Sequence, residues 1–123
     1  MTELLSQLAK ETASGTEVGK ILGYPVDFPS ELVETLSLQT AINYWHGKIN
    51  YEDGDIIMNN LYSFWVTNTH YVQNFGFGKI AWNCYEAFDA GEYQRPTDPQ
   101  DIDPVEAYTK PIIEKLLIEL NKI

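Results

Sequence analysis

Three side chains in this sequence are of the types that bind metals or act as nucleophiles: His46, His70 and Cys84. A zinc site needs Cys and His ligands paired a few residues apart, and these three fit no such pattern. Cys84 falls on the apolar stripe of a predicted helix, where a thiol reads as a small buried hydrophobe. Each histidine closely follows a helical stripe and reads as an edge-of-core residue. Carboxylates are plentiful enough for paired acid and base roles. With 18 of them, chance pairs are expected, and the sequence singles out no pair by an apolar neighbourhood of the kind that raises a pKa.

Three further segments fit no ligand pattern. Asp98, Asp101 and Asp103 lie close together, but Pro99 and Pro104 intervene and the central glycine of a calcium loop is missing. Asp53-Gly54-Asp55 fails as well, because Ile49 and Tyr51 occupy the early ligand positions. Phe75-Gly76-Phe77-Gly78-Lys79 lacks the lysine spacing and the following Ser or Thr of a phosphate loop. It reads as a helix-breaking turn. No residue is assigned a catalytic role, and no metal or cofactor is expected.

What remains is charge. The chain has 18 acidic residues against 8 basic ones, a net charge of −10 over 123 residues. Between Glu86 and Glu106 stand seven acids (Glu86, Asp89, Glu92, Asp98, Asp101, Asp103 and Glu106) opposed only by Arg95, for a net −6. An acidic surface that merely keeps a protein dissolved normally mixes both signs. Here the charge is nearly unopposed, and Tyr85, Phe88, Tyr93 and Tyr108 lie among the acids. Acids steer a basic partner, and tyrosines anchor it at low entropic cost. The expected partner-binding residues are therefore Glu86, Asp89, Glu92, Tyr93, Asp98, Asp101 and Asp103. Tyr51, Glu52, Asp53 and Asp55 form a second acidic-aromatic cluster that extends the surface.

The remaining composition sets bounds. A chain of 123 residues with 44% apolar residues and 16 aromatics makes one domain with a real core. One cysteine allows no intrachain disulfide, which suits the cytoplasm. Met1-Thr2-Glu3 lacks the basic start and apolar run of a signal peptide, so none is expected, and no apolar run reaches membrane-spanning length. The acidity argues against direct binding of nucleic acid, which needs Lys and Arg.

The elements that position these residues read as helices. Thr2 can cap a first helix carrying Leu4, Leu5 and Leu8. Ser14 and Glu17 have capping-box spacing and open a second, with Val18, Ile21 and Leu22, ended by Gly23. Ser30 reads as the N-cap of a third, with a stripe of Leu38, Ala41, Ile42 and Trp45. Lys48 to Gly54 reads as a loop or small hairpin on the Asp53-Gly54 turn signal. Asp55 then caps a fourth helix carrying Ile57, Leu61, Phe64 and Trp65. After the glycine-rich break, a fifth carries Ile80, Ala81, Cys84, Ala87 and Phe88. Glu92 to Ile102 is an acidic loop. Asp103 caps the last helix with Pro104 at its first position, and Val105, Tyr108, Ile112, Leu116 and Leu120 form its stripe. Pro111 should kink or split that helix near Thr109. The expected fold is an all-α, single-domain bundle over residues 1–123, of five or six helices with a long acidic loop before the last.

With its acidic run Glu86 to Glu106, its interleaved Tyr85 and Tyr93 and no catalytic signature, the chain resembles a bacterial toxin-immunity protein of the contact-dependent growth inhibition or colicin type. The resemblance implies a cytoplasmic protein that blocks a cognate toxin domain, often a nuclease, by covering its basic surface. Two other readings are carried beside it. One is a small helical enzyme or ligand-binding domain using His46, His70 or Cys84, which requires two of them to meet a carboxylate in a pocket. The other is a structural subunit, a homodimer packed through tyrosine-rich helices.

Overall fold

The computed structural model describes residues 2–10 and 14–123. Among them the architecture is all-α, with seven helices and no strand. They are α1 (Thr2–Leu8), α2 (Gly15–Ile21), α3 (Ser30–Trp45), α4 (Tyr51–Val66), α5 (Thr69–Asn74), α6 (Lys79–Ala90) and α7 (Lys110–Glu119). A π-helical turn, Val105–Thr109, runs directly into α7. Helices α3, α4 and α6 pack on one another at the centre. On one side α7 packs against α3 and α6. On the other, α1, α2 and α5 pack against α4.

Several starts and stops follow the sequence. The Ser14 hydroxyl accepts a hydrogen bond from the Glu17 amide at 3.2 Å and caps α2. The Asp103 carboxylate accepts from the Val105 amide at 3.0 Å, one residue beyond Pro104. The cap expected of Thr2 falls on a side chain outside the described residues. Ser30 does not cap α3. It is the first helical residue, and its hydroxyl turns back to the Phe28 carbonyl.

The Lys48–Gly54 loop and the Asp55 cap are both corrected. Helix α4 begins at Tyr51, capped by Asn50, whose Oδ1 accepts from the Asp53 amide at 2.8 Å. Asp53 and Gly54 therefore lie in its first turns. Gly54 serves close approach, since a Cβ there would overlap the Phe88 ring of α6. The additional short helix α5 arises because Asn68 caps it, accepting from the Tyr71 amide at 3.0 Å.

Two buried stripes are also rotated from expectation. Helix α3 buries Val33, Leu36, Ser37, Thr40, Ala41 and Tyr44, leaving Leu38, Ile42 and Trp45 only partly covered. The polar Ser37 and Thr40 fit the core because each hydroxyl donates to a carbonyl one turn back, both at 2.7 Å. In the last helix the buried set is Thr109, Ile113, Leu116 and Leu117, with Ile112 exposed. The π turn inserts one extra residue into the spiral, so the apolar face beyond it shifts by one position. Pro111 is the cause. It lacks the amide that an α-helical turn would offer to residue 107, and the wider turn before it removes the need.

Helix α6 is held at both ends by side chains from elsewhere. Gly78 precedes it with φ +115° and offers no capping side chain. Instead the Glu34 carboxylate of α3 accepts from the Ile80 and Ala81 amides at 3.1 and 2.7 Å. A Cβ on Gly78 would overlap that carboxylate. At the other end the Tyr51 hydroxyl donates to Phe88 O at 2.6 Å, and Thr109 Oγ1 donates to Ala87 O at 2.7 Å. Phe77, fully buried just before α6, contributes roughly 2–3 kcal/mol by burial and seats the loop.

Glu34→Ala leaves two helix-end amides without an acceptor and should cost about 2–3 kcal/mol in urea unfolding. Glu34→Gln, which keeps one acceptor, should cost roughly half of that. Equal stability of all three proteins would show that this cap contributes nothing.

Candidate functional site

The two acidic clusters expected from sequence are brought together. The N-terminal turns of α4 supply Tyr51, Glu52 and Asp55. The C-terminal turn of α6 supplies Asp89, and Glu92 follows it at once. The carboxyls of Asp55 and Glu92 lie close enough for each to act on the other. Glu92 also accepts a long hydrogen bond from Asn59 Nδ2 at 3.4 Å. Burial, then the bond to Glu92, then the charges of Glu92, Asp89 and Glu52 push the Asp55 carboxyl up to about 7. The Tyr51 hydroxyl is raised too, by burial first and then by Asp55, Glu92, Asp89 and Glu52. Asp89 and Glu92 stand at the negative end of the α6 macrodipole, which adds to the repulsion.

Arg95 is the one arginine of the chain, and it is already engaged. Its Nη1 donates to Ala90 O at 2.7 Å and to Tyr93 O at 3.1 Å. Its guanidinium lies 3.7 Å from the ring centre of Tyr108 and 4.7 Å from that of Tyr93. Asp98 completes this arrangement. It accepts from the Tyr108 hydroxyl at 2.5 Å and from the Arg95 amide at 2.9 Å, bonds that hold its carboxyl below the ordinary carboxylate range. Asp98 thus organises the loop from within. Tyr93 is 55% exposed, and Glu86, Asp101 and Asp103 are exposed as well. Asp53 is partly covered in the first turn of α4 and Glu52 is exposed.

Aromatic side chains border the acids in a pattern the sequence reading passed over. Tyr62 of α4 and Tyr85 of α6 meet edge-on at 4.4 Å, and Trp82 lies 5.6 Å from Tyr62 and 5.8 Å from Tyr85. The signal was present in the helical spacing. Asp55, Asn59 and Tyr62 share one face of α4, and Trp82, Tyr85, Asp89 and Glu92 share one face running off α6. Burial, then Asp89, Tyr62, Glu92 and Asp55, raise the Tyr85 hydroxyl, which places the acids against the rings.

His46, His70 and Cys84 sit in three separate settings. His46 closes α3 in solvent. His70 pairs with Asp27 at 2.9 Å and contacts Asn74. Cys84 is fully buried, its thiol donating to Ser37 O at 3.4 Å, and burial pushes it up to about 12. Among the described residues no group of three or more His, Cys, Asp or Glu is arranged to hold a metal ion. No described helix is long and apolar enough to cross a membrane. The clefts are open, such as one of about 340 Å³ lined by Tyr24, Thr67, Asn68 and Tyr71.

No protein-family model, curated protein or solved structure matches the chain, so function is read from the geometry alone.

Asp55 binds a proton in the folded chain that the unfolded chain releases above about pH 4. Its stabilising contribution is present below the unfolded pKa of 3.8 and is lost as the pH rises through about 7. Asp55→Asn removes that loss. At pH 8 it should gain about 1 kcal/mol after discounting for solvent exposure, or ~4 °C in Tm. The gain should shrink as the pH falls to 5. A pH-independent difference in Tm would show that Asp55 titrates normally.

Proposed function

We propose that this chain is an acidic protein-binding module, a bacterial immunity protein that acts in the cytoplasm and neutralises a cognate toxin, a nuclease, by covering its basic surface. The observation that carries the reading is the meeting of Asp55, Asp89 and Glu92 at one end of the α4–α6 pair, with the only nearby arginine already spent on the chain's own carbonyls and tyrosine rings. Such a site is repulsive in the free protein. A Lys or Arg brought by a partner opposes those carboxylates and recovers that cost. The acids then stand where phosphates would stand on the partner, so nucleic acid and inhibitor compete for one surface. The surrounding acids, Glu86, Asp101 and Asp103 among them, raise the rate of encounter. A few desolvated contacts set the lifetime of the complex.

The test is protection. Cells expressing a toxic nuclease domain encoded beside this chain should grow when the chain is co-expressed and die when it is absent. With purified proteins, Glu86→Gln, Asp89→Asn and Glu92→Gln together should slow association about tenfold at low salt and flatten its salt dependence. Unimpaired killing in the presence of the folded chain would overturn the assignment for that toxin. An unchanged association rate would remove these acids from the interface.

A further inference from the structure

The basic-partner reading leaves open where on the molecule the partner is anchored. The acidic loop from Glu92 to Ile102 is the place that charge alone suggests. Its interior is occupied, however: Asp98, Tyr108 and Arg95 bond to one another, and Gln94 Nε2 spans the loop to Gln100 O and Ile102 O at 3.0 and 2.8 Å. The face formed by α4 and α6 lying side by side is different. Tyr62, Trp82 and Tyr85 stand together there over the buried Phe77, and Trp82 is 36% exposed. Among the described residues, none of the Tyr62 hydroxyl, the Tyr85 hydroxyl and the Trp82 indole N–H has a hydrogen-bond partner. The same face runs on into Asp89 and Glu92.

We propose that this aromatic face of α4 and α6 is the docking surface, and that it takes an arginine-bearing segment of a basic protein, with guanidinium groups stacked on Trp82 and Tyr85 and hydrogen-bonded to Asp89 and Glu92. The inference rests on the basic-partner reading and names its site. Arginine fits better than lysine, because a planar guanidinium stacks on rings and bonds to a carboxylate with two parallel N–H groups, whereas an ammonium does neither. The molecule already contains one such arrangement, with Arg95 held between the rings of Tyr93 and Tyr108. A second copy of this chain is a poor occupant, since each carries a net charge of −10. Tryptophan and tyrosine beside charged groups are also the residues on which binding energy concentrates.

The experiment uses the full chain and three short peptides of equal length: oligoarginine, oligolysine and a neutral glycine-serine peptide. Binding is followed by nuclear magnetic resonance through the backbone amides and the indole N–H of Trp82. Oligoarginine should bind more tightly than oligolysine, the neutral peptide should not bind, and the Trp82 indole and Tyr85 amide should shift most. Trp82→Ala should weaken oligoarginine binding about tenfold with Tm preserved, and Trp82→Phe should recover part of the loss. Asp89→Asn with Glu92→Gln should weaken both basic peptides. Oligoarginine binding that survives Trp82→Ala, or shifts confined to residues 93–103, would overturn the docking site and leave the basic-partner reading standing. No binding of either basic peptide at low salt would overturn both.

Discussion

Helix α6 has no side-chain cap from its own flanking residues, and the rest of the molecule is arranged around that deficit. Its flanking residues are glycines, Gly78 and Gly91, which bring no side-chain acceptor or donor. At its C-terminus the Gly91 and Glu92 amides close on Phe88 O and Asp89 O, but the N-terminal amides and the Ala87 and Ala90 carbonyls need partners from elsewhere, since burying them unpaired is costly. The partners come from three other places in the chain: Glu34 from α3, Tyr51 from the start of α4, and Thr109 and Arg95 from the segment leading to α7. Each of these bonds fixes a helix–helix relation as well as an end. The glycines are part of the same solution, because a Cβ at Gly78 would collide with Glu34, and one at Gly91 with Thr109 and Tyr51.

The acidic site is a consequence of how that capping is done. Because Tyr51 reaches the Phe88 carbonyl in the final turn of α6, the first turns of α4 are drawn against that turn. Asp55 then faces Glu92 and Asp89 across the seam. The clustering is unfavourable by itself, since like charges meet at the negative end of a helix dipole in a partly desolvated position. Protonation of Asp55, whose carboxyl is pushed up to about 7, relieves part of the repulsion. Arg95 cannot relieve the rest, as its guanidinium is held to the Ala90 and Tyr93 carbonyls and between two rings. The free protein is thus left with anionic surface that a cation would stabilise, next to rings that can stack on one.

Helix class, the seat of most helices and the long acidic loop were legible in the sequence because they depend on local rules. Ser14 and Asp103 sit where capping spacing requires, and Pro111 disturbs the last helix just before itself, near Thr109. The departures have separate physical origins. Gly54 after Asp53 carries the signal of a tight turn, but its use is to admit the Phe88 ring against α4. The α3 stripe was misplaced because Ser37 and Thr40 are polar, yet each satisfies its hydroxyl on its own helix and enters the core. The α7 stripe slipped by one residue because a π turn adds a residue that a fixed helical period does not count.

Composition and local pattern determined that the chain is helical, that it is strongly acidic, and that Cys84 belongs to the core. These follow from the side-chain types and from their spacing over one or two turns. Only the tertiary structure decided that Asp55 belongs with Glu92 and that Tyr62 belongs with Trp82 and Tyr85. Those pairs are separated by more than a helix in sequence. They meet because α4 and α6 pack side by side in a register set by the caps on α6, and no local rule encodes that register.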